Sequence, residues 1–204
     1  MARTTTTRRK DGRGGKNGRS ARATASRITE QPTVPAGRER EPARLYSTKN
    51  DLPESIRLEV IPLLNQRLAE CIDLQTQCKQ AHWNVKGPSF IGLHKLFDDI
   101  NESVEGYVDL IAERIVQLGG IAEGTIGVVE ARSTIVDYPL TLSTGAEHVA
   151  ALSDALSGFA RTARVGIEEM QDLKDADSAD MLTDISRGVD QWLWFVEAHQ
   201  QAEV

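Results

Sequence analysis

From Asp51 onward the large apolar side chains recur at threes and fours, the spacing of amphipathic helices. Ile61, Leu64, Leu68, Cys71, Ile72 and Gln75 trace a first helix. Asp51-Leu-Pro-Glu54 reads as its start, with Asp51 as cap, Pro53 in the first turn and Glu54 reaching back. Pro62 falls within this pattern and predicts either an opening turn or a kink. Gly87-Pro88 breaks the run, and Ser89 is placed to cap a second helix. That helix is the clearest: Phe90, Leu93, Phe97, Ile100, Val104, Val108, Ile111, Ile115 and Leu118 share one seam until Gly119-Gly120 stops it. A connection of about 25 residues follows, too long to be wholly structureless, so residues 125–132 are expected to form a short helix. Val149, Leu152, Leu156, Phe159, Ala163, Ile167, Met170 and Leu173 mark a third long helix. Ala179, Leu182, Ile185, Val189, Trp192, Leu193 and Val196 mark a fourth. Alternating strand patterns are nearly absent. The fold expected is all-α, a four-helix bundle with an overhand connection and a short extra helix between helices two and three.

Charge divides the chain. Its 204 residues carry a net −6, but residues 1–44 hold +8 and residues 45–204 hold −14. The first segment has no aromatics and is rich in Gly, Pro, Thr and Arg, so burial cannot offset its ordering entropy. We therefore expect a disordered basic tail over 1–44 and a folded domain over 45–204. Arg3, Arg8, Arg9, Lys10, Arg13, Lys16, Arg19, Arg22 and Arg27 make a polycation suited to sequence-independent DNA binding by counterion release. A solubilising leader and an organelle transit peptide are the competing readings. No apolar stretch of about 18 residues occurs, which excludes a spanning helix. Cys71 and Cys78 are about 10.5 Å apart along one helix and cannot bridge each other, which points to a reducing compartment.

Chemistry concentrates on the second helix. His94, Asp98, Glu102, Glu105, Asp109 and Glu113 form a stripe about 130° from the apolar seam. His94/Asp98 and Asp109/Glu113 are i,i+4 pairs, each placing two metal-competent groups about 6 Å apart. Asp98 and Asp109 are about 16.5 Å apart along the helix, so each pair is at most half a site. A two-fold axis crossing the helix near its middle would join His94/Asp98 of one copy to Asp109/Glu113 of another, twice. A solvated acidic face explains the same stripe. His82 falls on the core seam of helix one, where a satisfied core histidine is the plain reading. His148 and His199 lack a convincing acidic partner and read as surface residues. No Glu-x-x-His pair, Walker loop, Gly-x-Ser-x-Gly elbow or CxxC occurs, which leaves hydrolase, NTPase and zinc-ribbon readings unsupported.

The run Lys79-Gln-Ala-His-Trp-Asn-Val-Lys-Gly-Pro-Ser-Phe-Ile-Gly-Leu-His-Lys-Leu-Phe-Asp98 closely resembles the signature of Dps proteins, the DNA-protecting mini-ferritins of starved bacteria. The similarity continues through residues 109–120, returns at 178–187 and 192–197, and spans roughly 45–200. It implies a ferritin-like bundle, a hollow shell of twelve subunits, and oxidation of Fe(II), preferably by hydrogen peroxide, with ferric mineral stored inside. It implies a ferroxidase centre between subunits: His82, His94 and Asp98 from one, Asp109 and Glu113 from its two-fold mate, with Trp83 beside them. Asp172, Asp175, Asp177 and Asp180 resemble the acids of the family's three-fold pores, although capping of the last helix explains Asp175 or Asp177 equally well. Iron as substrate, DNA and further copies of the chain as partners, no membrane, and a cytoplasmic, nucleoid-associated location complete the expectation. The alternative is a nucleoid-compacting scaffold with a vestigial metal site.

Overall fold

Five helices follow one another in the computed structural model, which describes residues 44–201: α1 (Glu54–Asn84), α2 (Phe90–Gln117), α3 (Ile126–Arg132), α4 (Gly145–Asp172) and α5 (Ala176–Glu197). No strand occurs among the described residues. α1 packs chiefly on α2, and α4 chiefly on α5; α1 also lies along α4, and α2 touches α5. The expected four-helix bundle is thus present, with α3 as the short extra helix. The core is one cluster in which Leu64, Leu68, Phe97, Ile100, Ile111, Leu152, Leu156, Phe159 and Ile185 are fully or almost fully buried. These are the seams read from the 3.6-residue period.

The path of the chain follows from its end contacts. Arg57 donates from Nη1 to the Leu118 carbonyl at 2.9 Å, so the start of α1 lies at the end of α2. A Cβ on Gly145 would touch the Leu93 side chain, so α4 begins beside the start of α2. The connection 118–144 therefore travels the length of the bundle, which is the overhand crossover. Gln200 closes the same end by donating to the Ala146 carbonyl at 3.0 Å.

α2 stops where Gly119 turns left-handed (φ 87°), with Gly119 N–H reaching the Val116 carbonyl and Gly120 N–H the Ile115 carbonyl, both at 2.9 Å. Tyr46 N–H bonds the Gly119 carbonyl at 2.7 Å, tying the chain that precedes α1 to this corner. A side chain on Gly119 would run into the Tyr46 carbonyl.

Three local expectations need correction. Pro53, not Asp51, is the N-cap of α1 and no side chain caps it; the Asn50 side chain instead accepts from Leu52 N–H at 2.9 Å. Ser89 holds the N-cap position of α2 but makes no side-chain cap bond. α1 is continuous through Pro62, which lies beyond its opening turn. Pro62 is exposed, and so is Leu58, whose carbonyl loses its helical partner there and faces the wet side.

His148, expected at the surface, is 1% exposed. Val149 and Leu152 turn α4 so that His148 meets Tyr138, whose hydroxyl lies 2.7 Å from Nδ1. The covering tyrosine comes from the crossover, which no helical period reports. His199 is exposed, as expected.

Candidate metal centre

The short link between Asn84 and Phe90 makes α1 and α2 antiparallel neighbours and brings His82, in the last turn of α1, level with His94 in the first turns of α2. The two imidazoles stack with centroids 3.8 Å apart and planes 19° from parallel. Each Nδ1 lies against the other residue's backbone carbonyl: His82 Nδ1 is 2.7 Å from the His94 oxygen, and His94 Nδ1 is 2.9 Å from the His82 oxygen. A carbonyl only accepts, so each Nδ1 carries the proton. In the neutral rings each Nε2 then keeps its lone pair, the form that ligates a metal. The Phe90 ring sits 5.0 Å from that of His94 and walls one side.

Asp98 lies beside the pair, with Oδ1 3.9 Å from His82 Nδ1. It is held by the Lys79 ammonium. That bond, aided by the nearby His82, Lys79 and His94 charges and opposed by desolvation, keeps the Asp98 carboxyl below its ordinary range. Lys79 was legible only as part of the signature. Its signal was spacing, since three residues before His82 puts it on the same face of α1.

Asp109 and Glu113 lie further along α2, exposed, with no hydrogen bond or ion pair among the described residues. Glu102 and Glu105, between the two pairs, are also exposed. So one chain gathers His82, His94 and Asp98 and leaves Asp109 and Glu113 apart. Among the described residues, no group of three or more His, Cys, Asp or Glu side chains is close enough to hold a metal ion within a single chain.

Comparison with known proteins gives this arrangement its setting. The ferritin-like domain pattern matches residues 61–203. The DNA protection during starvation protein of Agrobacterium fabrum is 40% identical over 158 residues, covering 78% of this chain and 98% of that protein. Its namesake from Mycolicibacterium smegmatis is 38% identical over 144 residues, covering 71% and 78%. Among solved structures, Mycobacterium smegmatis Dps in a tetragonal form superposes with a TM-score of 0.74 at 36% identity, covering 78% of this chain and 96% of that one. DpsA14 from Streptomyces coelicolor gives 0.74 at 32%, covering 79% and 95%. The chain belongs to the Dps group of the ferritin-like family.

The other residues singled out in this Dps chain fall into two groups. Asp175 is 2% exposed; it caps α5 by accepting from Ser178 N–H at 3.2 Å and pairs with Arg114 Nη2 at 2.7 Å. Arg114 also donates from Nε to the Ser178 hydroxyl at 2.9 Å. The capping role foreseen for Asp175 therefore occupies it within the chain. Asp172, Asp177 and Asp180 are exposed at the same corner. The nine tail cations from Arg3 to Arg27 lie outside the described residues. No described helix is long and apolar enough to cross a membrane.

The buried cysteines have no place in this chemistry. Desolvation raises the Cys71 thiol well above its ordinary range and Cys78 to about 12, so both stay protonated and inert.

Proposed function

We propose that this Dps subunit oxidises Fe(II) at centres built between two-fold-related copies, with His82, His94 and Asp98 from one and Asp109 and Glu113 from the other. One observation supports the reading: the reciprocal clamp of His82 and His94 leaves each Nε2 its lone pair, with an ionised Asp98 beside His82, while the remaining carboxylates lie too far along α2 to join them within one chain. Two imidazoles with carboxylates form a donor set suited to Fe(II). Lys79 neutralises Asp98 until a cation takes its place, so binding of iron exchanges one positive partner for another.

In the reaction each of two Fe(II) ions loses one electron, and hydrogen peroxide accepts both as its O–O bond breaks, leaving two hydroxides. Ferric product then passes to a cavity enclosed by twelve subunits, where exposed acids favour its deposition. Removing Fe(II) and peroxide together prevents hydroxyl radicals from forming near DNA. Asp172, Asp177 and Asp180 are offered as cation-attracting residues of a three-fold entry. The cationic tail would hold the acidic shell on DNA, placing the protein in the cytoplasm at the nucleoid.

Stopped-flow mixing of Fe(II) with peroxide tests the centre. Asp98→Ala with Glu113→Ala should lower the initial oxidation rate about 10- to 100-fold, the usual cost of disturbing a metal site. Oxidation at the parental rate would refute the assignment and favour the scaffold reading. An assembly mass near twelve times 22.4 kDa is expected, and a stable monomer would leave each centre half-built.

A further inference from the structure

His148 is buried outside the candidate centre, and the ferroxidase reading gives it no task. Its Nδ1 lies 2.7 Å from the Tyr138 hydroxyl, and the two rings stack with centroids 6.1 Å apart. The Nδ1 atoms of His82, His94 and His199 face backbone carbonyls instead. Tyr46 and Tyr107, the other two tyrosines of the chain, therefore have no such imidazole partner among the described residues.

The direction of the bond follows from the surroundings. Burial lowers the proton affinity of His148, so near neutral pH the ring is uncharged. Its Nε2 is buried without a well-formed hydrogen bond, and the Asn84 backbone lies close enough to favour the protonated ring. A carbonyl only accepts, so the ring proton belongs on Nε2. Nδ1 then keeps the lone pair that receives the Tyr138 hydroxyl. Burial also raises the Tyr138 hydroxyl above its ordinary range, so the phenol does not ionise by itself. It can lose an electron only as its proton leaves, and the proton acceptor is already in place. The pair stands against the turn of α1 that carries His82. Asn84 is two residues beyond His82, about 3 Å along the helix axis. Tyr138 shares an open pocket of about 300 Å³ with Gln77 and Gln80 of the same helix.

We infer that Tyr138, with His148 as its proton acceptor, supplies the second electron to peroxide when a centre holds a single Fe(II). The inference rests on the ferroxidase reading and deepens it. Peroxide needs two electrons for its O–O bond to break into two hydroxides. One Fe(II) gives one electron and becomes Fe(III). Tyr138 gives the other, its hydroxyl proton passes to His148 Nδ1, and a neutral tyrosyl radical remains beside an imidazolium. A later Fe(II) returns the electron, and the proton goes back to the phenol. The sum is two Fe(II) oxidised per peroxide, without release of a hydroxyl radical from a half-filled centre.

The test uses the full-length protein with less than one Fe(II) per centre and hydrogen peroxide in excess, frozen during the reaction for electron paramagnetic resonance. The parent should show a tyrosyl radical with a coupling to one exchangeable proton, lost in heavy water. That coupling marks the imidazolium bond and is read on the unaltered chain. Tyr138→Phe should remove the signal, whereas Tyr46→Phe and Tyr107→Phe should keep it. His148→Gln still accepts the hydroxyl hydrogen bond but cannot take its proton, and should lower the radical yield about tenfold or more. A tyrosyl signal that survives in Tyr138→Phe overturns the inference and leaves the ferroxidase reading standing, as does Fe(II) oxidation by the parent without any tyrosyl radical. A parent that fails to oxidise Fe(II) refutes both.

Discussion

His82 and His94 fix each other's tautomers: each ring donates its Nδ1 proton to the other residue's backbone carbonyl, at 2.7 and 2.9 Å. The site thereby needs no outside carboxylate to orient its imidazoles. The clamp lies wholly within one chain; in the proposed centre only Asp109 and Glu113 would come from the partner.

That division has a genetic signature. Asp98→Ala subunits and Glu113→Ala subunits, each strongly impaired alone, should regain activity when unfolded together and reassembled. Half the pairs are mixed, and each mixed pair has one intact centre and one doubly damaged one. Oxidation should return to about a quarter of the parental rate for statistical mixing at a two-fold interface. Stopped-flow assay of the mixture checks this. No recovery would mean that each centre is built within one chain.

Arg114 pins the end of α2 to the start of α5 through the buried Asp175. Arg114→Ala leaves that buried carboxylate without its cation, with only the Ser178 N–H and hydroxyl still donating to it, and should cost about 3–5 kcal/mol. Urea unfolding followed by circular dichroism measures the loss. Asp177, mostly exposed and 3.9 Å from Arg114, should matter far less, within about 1 kcal/mol.

Gly188 makes room for a tyrosine. A Cβ there would come within 2.0 Å of the Tyr107 hydroxyl. Gly188→Ala should therefore destabilise the protein by about 1–3 kcal/mol, although Ala is ordinarily the better helix former by about 0.5–1 kcal/mol. Adding Tyr107→Phe removes the hydroxyl and should recover most of the loss. Thermal melts of the three variants decide the point.

Acid should weaken the fold in two stages. Burial lowers the pKa of His148 below 6.5, so the native state binds fewer protons than the unfolded chain and stability falls once the pH drops below that value. The charges nearest this group are Glu147, which opposes the shift, and Lys86, which favours it. Glu147 itself is held at about 2 by bonds from the Ser143 and Thr144 backbones and the Thr144 hydroxyl, against an ordinary 4.5. Its contribution is complete above 4.5 and is lost as the pH falls toward 2. Melting temperature against pH should show both slopes; His148→Gln should flatten the upper one and Glu147→Gln the lower.

DNA retention should depend on residues 1–44, because the rest of the chain carries −14. Trimming them should abolish gel retardation at low salt and leave iron oxidation unchanged. With the tail present, the logarithm of affinity should fall with the logarithm of salt at a slope approaching about −8 for each tail whose nine cations reach phosphate. Titrations at several salt concentrations test it.

The sequence by itself determined the helices. Apolar spacing places Leu93, Phe97, Ile100 and Ile111 on the buried seam of α2, and Gly119-Gly120 ends it where the left-handed turn occurs. It also determined that His94/Asp98 and Asp109/Glu113 cannot share an ion within one helix, because helical rise is fixed. Only the tertiary structure decided which ring nitrogen keeps its lone pair, since the His82–His94 clamp joins backbone and side chain across two helices. It also decided that His148 is buried beneath Tyr138 and that Asp175 serves Arg114 and the α5 cap. These outcomes depend on which surfaces the loops bring together, and loops follow no period. A helix reports its own faces through spacing; what covers those faces is settled by packing between segments distant in the chain.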